Sequence, residues 1–322
     1  MSGPGRRARL IALFALVAGC EKEKPNDAAE PRSTAAASAI SSTRAREPAL
    51  LYLPDGGDHA IGGDRGPPSL VPRAGVCPSD MVDVGGRFCI DRYEASLVDA
   101  RLGRSLSPYF PARRADVVQA FEMFRNAGPA RASDAPALPT PPAWQLDEKF
   151  GVRATSRVRE VPSGYLSGIV AGEACQAAGK RLCSLAEWTF ACRGQRNRRF
   201  PYGDEYEEGR CNVFREAHPA SVLHGDASIH HLDPRLNLVK GPKGPLLRRT
   251  GDSASCRSEW SSDAALDMVG NLDEWVDDPE GTFAGGFYAR GTRDGCDAKI
   301  ETHPVDYFDY SVGVRCCRQV GP

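Results

Sequence analysis

The residues best equipped for chemistry in this chain are its sulfurs. The sequence holds 11 cysteines in 322 residues, and one of them closes the stretch Gly285–Cys296, "GGFYARGTRDGC". A thiolate at Cys296 could act as a redox nucleophile, or it could hold a soft metal such as Cu(I) if a second thiolate lay beside it. The competing assignment is a disulfide, which removes the sulfur from chemistry. The six histidines, His59, His218, His224, His230, His231 and His303, show no spacing of a metal triad, and His230–His231 reads as a pair of surface-loop residues. No Ser-His-Asp arrangement and no phosphate-binding glycine loop is present.

The amino terminus bears on which compartment these sulfurs meet. "MSGPGRRAR" carries three arginines, and "LIALFALVAG" follows with ten uncharged residues. A basic start, a short apolar run and small residues before a cut site form a secretory signal over 1–19. The run is too short to span a bilayer, which takes roughly 20 residues. Val17-Ala18-Gly19-Cys20 resembles the bacterial lipobox, which implies cleavage before Cys20 and a diacylglyceryl group on its sulfur. The alternative is an ordinary cleaved signal in which Cys20 has no role.

Setting Cys20 aside leaves 11 − 1 = 10 sulfurs: Cys77, Cys89, Cys175, Cys183, Cys192, Cys211, Cys256, Cys296, Cys316 and Cys317. Ten is even, and an oxidising compartment favours complete pairing. A free Cys296 would strand one other thiol, so parity favours a structural Cys296. Alternation along a strand points Cys316 and Cys317 to opposite faces, so they are expected to serve different partners. One of the two is expected to take Cys296, and Cys77–Cys89 is expected to close a first hairpin.

The elements that must position these residues begin near residue 76. Residues 20–75 are rich in Ala, Pro, Ser and Gly, with one apolar knot, "LLYLP" at 50–54, and read as a disordered tether. "MVDVGGRFCIDRYEAS" suggests two strands turning at Gly85-Gly86. "ADVVQAFEMFRNAG" (115–128) has helical spacing, and 127–143 reads as a Pro/Ala loop. A helix is expected over 167–178 with Gly179 as its stop. A second starts at the capping box Ser184/Glu187 and ends at Gly194. Beyond 195 loops dominate, with strand-like pieces at "FAGGFYAR" and "SVGVRCC", and Trp188, Trp260 and Trp275 read as core anchors. With 41% hydrophobic residues, 26% charged residues and a net charge of −1, the chain suits a globular domain and offers no basic excess for a nucleic-acid backbone.

Six pieces in order, "FCIDRYEAS", "AAGKRLCSLAEWTFACRG", "FPYGDEYEEGRCNV", "DMVGNLDEWVDD", "GGFYARG" and "VGVRCC", resemble the formylglycine-generating enzyme family, or sulfatase-modifying factor domain. The resemblance covers residues 76–322 almost entirely. It implies a C-type-lectin-like α+β fold with little regular secondary structure. It also implies structural calcium at Asn212, the Val213 carbonyl, Asp226 and Ser228, with a second set at Asn271 and Glu274, all hard oxygen donors. The competing assignment has the two asparagines capping turns and Asp273, Asp277 and Asp278 forming a solvated acidic face. Enzymes of the family hold copper on two thiolates in the pattern Gly-Gly-Ser-x-x-Cys-x-x-x-x-Cys. Counted from Gly285, Phe287 replaces the serine, Arg290 and Gly295 fall at the two cysteine places, and Cys296 is one place late. Copper is therefore not expected. Relatives that use non-haem iron carry a His-x-x-x-His-x-Glu set that none of these histidines forms.

Two functions follow as expectations. One is an exported, lipid-anchored module of the bacterial cell envelope that binds an envelope protein, peptide or glycan. The other is an oxidoreductase of the same family acting on a protein or peptide residue, with Cys296 as its catalytic residue; fold alone does not decide between them.

Overall fold

A computed structural model of the protein describes residues 77–127, 135–215, 217–290 and 293–321. The expected signal peptide, the lipidated Cys20, the tether to residue 75, His59 and residues 128–134 of the Pro/Ala loop lie outside the described residues.

The chain opens with β1 (Met81–Asp83) and β2 (Phe88–Asp91), antiparallel with Val82 opposite Ile90. Their turn needs two left-handed residues, and Gly85 and Gly86 supply φ of 62° and 72°. β3 (Ala95–Asp99) follows, then α1 (Arg114–Arg125), whose Val117, Ala120 and Phe124 are buried on one face. A short helix, α2 (Ala143–Asp147), begins at the end of the Pro-rich stretch that reads as loop. β4 (Val152–Ser156) pairs with β3.

α3 (Gly168–Ala177) is capped by Ser167, whose hydroxyl accepts from the Val170 amide. After β5 (Arg181–Leu182), α4 (Leu185–Arg193) starts on a complete capping box: the Glu187 amide donates to Ser184 Oγ, and the Ser184 amide donates to Glu187 Oε2. Such a cap stabilises a helix by about 1 kcal/mol. The loop-rich half then carries α5 (Pro219–His224), β6 (Lys240–Gly241), β7 (Gly244–Pro245), β8 (Arg257–Trp260), β9 (Asp263–Leu266), β10 (Asp273–Trp275), β11 (Phe283–Ala284), β12 (Lys299–Ile300), β13 (Val312–Val314) and β14 (Cys316–Gln319).

Two four-stranded sheets organise the fold, one in the order β1-β2-β14-β5 and the other β12-β11-β10-β13. β13 runs parallel to β10, and β14 runs antiparallel to both β2 and β5. Arg315 is the single residue between β13 and β14, so the final segment leaves one sheet and enters the other. All described residues fall within one unit, Gly66–Pro322. Trp188 and Trp260 anchor one apolar cluster, Trp275 with Phe283 anchors another, and Tyr165, Phe287, Tyr288 and Tyr310 belong to a third. No described helix is long and apolar enough to cross a membrane.

Five disulfides staple these layers: Cys77–Cys89, Cys175–Cys316, Cys183–Cys317, Cys192–Cys296 and Cys211–Cys256. Cys316 and Cys317 do take different partners, but neither takes Cys296, which joins Cys192 on α4. The physical reason is register. β14 lies beside β5 with Cys316 opposite Leu182, which sets the two vicinal sulfurs against α3 and the start of α4. Cys296 instead sits in a 3-10 turn, Gly295–Asp297, pinned by its own amide donating to the Arg199 carbonyl.

Candidate functional site

The segment where a thiolate pair would stand in an oxidase of the resembled family begins as a turn forced by glycine. Gly285 adopts φ +97°, and a Cβ there would come within 2.9 Å of the Met268 carbonyl oxygen. The Gly286 amide donates to Asp273 Oδ1 at 2.9 Å, and the Arg290 guanidinium donates to the same oxygen at 2.6 Å. Asp273 is buried, and its Oδ2 has no hydrogen-bond partner. Burial pushes its pKa up to about 7, against the opposing pull of Arg290. Asp273 is therefore no part of a solvated acidic face: β10 carries it inward.

Phe287 fills the middle of this region. Its ring meets Tyr288, Tyr310 and His218 edge-on at 5.4, 5.7 and 6.2 Å between centroids. The Tyr310 hydroxyl lies 3.0 Å from His218 Nε2, and the other ring nitrogen, Nδ1, is buried without a partner. Burial lowers the pKa of His218, so the ring is neutral at pH 7. Asp309 accepts from the Ser311 amide, the Ser311 hydroxyl and the Tyr307 hydroxyl. Burial raises the pKa of Tyr310, which keeps its hydroxyl protonated. The arrangement offers hydrogen-bond donors and acceptors, a neutral imidazole and a carboxyl poised near neutrality. It offers no thiol: Cys296 is buried and cross-linked to Cys192, with Arg290 holding Asp273 and Phe287 packed among aromatics.

The sequence-derived calcium sets come out differently from each other. Asn271 has every amide atom partnered: Oδ1 accepts from the Arg248 amide and from Asn212 Nδ2, while Nδ2 donates to Glu94 and to the Arg248 carbonyl. Glu274 accepts from Trp188 Nε1 and from the buried guanidinium of Arg315. A cation there would have to displace Arg315, so Asn271 and Glu274 do not fit a calcium site. In the other set, Asn212 Nδ2 donates to the Leu246 carbonyl and to Asn271, leaving Oδ1 buried and unpartnered, which suits a hard cation. Asp226 is exposed and accepts from the Ser228 amide and hydroxyl in a turn of their own, and no hydrogen bond links that turn to Asn212. Among the described residues no group of three or more His, Cys, Asp or Glu is placed to hold a metal.

Residue types alone do not single out the groups that surround Glu274. Glu94 accepts from the Leu272 amide and the Asn271 side chain across sequence gaps of 178 and 177 residues. Its only signal was a carboxylate set among buried strand residues in "FCIDRYEAS". Burial pushes the Glu94 pKa well above the usual carboxylate range, with Asp267 and Glu274 adding repulsion.

Residues 164–320 match the family model for the sulfatase-modifying factor enzyme 1-like domain. Among solved structures, the chain is similar to "Crystal Structure of CarF" at 14% identity, covering 73% of this chain and 87% of that one with a TM-score of 0.36. It is also similar to "Structure of PvdO from Pseudomonas aeruginosa" at 16% identity, covering 72% and 80% with a TM-score of 0.33. No curated protein matches. Residues 164–320 thus match the sulfatase-modifying factor domain family, within a mixed α+β architecture that has few helices and five disulfides.

Proposed function

We propose that this chain is an exported, lipid-anchored binding module of the bacterial cell envelope, built on a sulfatase-modifying factor domain without copper–thiolate chemistry. The observation that carries the reading is the Cys192–Cys296 disulfide. Every cysteine among the described residues is bridged, which leaves no thiolate there to grip a soft metal. Phe287 and Arg290, standing where serine and a cysteine would be, have packing and ion-pair duties of their own. Five disulfides suit an extracytoplasmic protein. The lipid anchor rests on Val17-Ala18-Gly19-Cys20, and calcium at Asn212 would stiffen loops without entering any reaction.

Alkylation of the native mature protein followed by mass measurement tests the reading. The expected result is no modified cysteine within 77–317 and no copper retained after Cu(I) titration and desalting. A modified Cys296 with one copper bound would return the protein to the oxidoreductases.

A further inference from the structure

A cavity of about 310 Å³ opens beside the β6–β7 hairpin. Its wall carries four cations, Lys240, Lys243, Arg248 and Arg249, and one carboxylate, Asp252. The whole chain is balanced, with 41 basic against 42 acidic residues, so this excess is local.

Among the described residues, carboxylate ion pairs offset it at Lys243 and not at the other three cations. Lys243 pairs with Glu208 at 3.5 Å, both at the surface. Arg248 donates to the Ser253 hydroxyl and Arg249 to the Arg159 carbonyl, both neutral acceptors. Among the described residues, Lys240, Arg248 and Arg249 form no ion pair. Cations gathered on one concave wall repel one another and hold an outward potential that an anion relieves.

Apart from Asn237 and the Tyr109 hydroxyl, the rest of the wall is apolar. Tyr109 presents a half-buried ring whose hydroxyl has no partner among the described residues, and Pro245 and Leu247 lie alongside. The volume falls at the small end of ligand sites. Asn237, also on the wall, donates to the Tyr310 carbonyl and accepts from the Tyr288 hydroxyl. The cavity therefore adjoins the aromatic cluster around Phe287.

We propose that this cavity binds a monosaccharide-sized anion, a ring compound bearing a carboxylate or phosphate, with the acid group on Lys240, Arg248 and Arg249 and the ring against Tyr109 and Leu247. The inference rests on the binding-module reading and supplies its ligand class.

Calorimetric titration of the full mature chain at low ionic strength with glucuronate, glucose 6-phosphate and glucose tests it. One or both anions should bind and glucose should not. The anion that binds names the acid group. Lys240→Gln and Arg249→Gln should each weaken binding roughly tenfold, the loss of one charge-assisted contact. Added salt should weaken it further. Both positions are exposed, and thermal melting verifies that each variant folds. No binding of either anion, equal binding of glucose, or unchanged binding by both variants would overturn the site. Such a failure with all ten cysteines bridged leaves the binding-module reading standing. A free Cys296 thiol holding copper overturns that reading whatever the titration returns.

Discussion

Arg315, wholly buried, directs its guanidinium at both oxygens of Glu274 and at the carbonyls of Asp91 and Leu266. Glu94 and Asp267 lie within reach of the same charge. Replacing Arg315 with Met would strand that group of carboxylates without a cation. We expect a loss of about 3–5 kcal/mol in urea unfolding, the usual cost of removing one partner from a buried pair. A loss under about 1 kcal/mol would mean that the carboxylates are held neutral without it. The motif "VGVRCC" marks Arg315 in the sequence, but its partners lie 41 to 224 residues away, and no local pattern encodes such distances.

Elements with local causes are legible in the sequence. The Gly85-Gly86 turn, the Ser184/Glu187 capping box and the Val117–Phe124 face each depend on residues within one turn or strand of one another, and each forms where its pattern lies. The disulfide between α4 and the 295–297 turn was not legible as a pairing, because parity counts sulfurs without saying which elements meet. That bridge joins residues 104 apart, against 12 for Cys77–Cys89. Long closed loops constrain the unfolded chain most, so the Cys192→Ser/Cys296→Ser double variant should lose about 2–4 kcal/mol. Denaturant midpoints compared with those of a Cys77→Ser/Cys89→Ser double variant check the order: the longer bridge should cost more. The carboxyl-terminal piece "SVGVRCC" shows the same limit. It reads as one strand, yet Arg315 divides it between two sheets.

Across the whole molecule, burial leaves a set of carboxyls unusually reluctant to ionise. Asp91 and Asp267 are pushed up to about 6 and Asp273 to about 7, with Glu94 raised as well, burial being the leading cause each time. Each binds its proton more tightly folded than unfolded. Between about pH 4 and pH 7 the folded state therefore holds more protons, and stability must fall as pH rises. His218 and His224, lowered by burial, work the other way near pH 6, but they are two groups against four. Carboxylates held low, such as Glu187 hydrogen-bonded to Arg181, lose their contribution only below about pH 4. Melting temperature should be higher at pH 5 than at pH 8, and Asp273→Asn should flatten the upper part of that slope. A melting temperature that climbs from pH 5 to pH 8 would contradict the burial argument.

The bridges from Cys175, Cys183 and Cys192 all find their mates near the carboxyl terminus. On the export proposed above, with the amino end emerging first, those three sulfurs would wait, reduced or wrongly joined, until the tail has crossed, and oxidative maturation would be deferred to the end of translocation. A product clipped before Cys316 would remain open to exchange and to proteases.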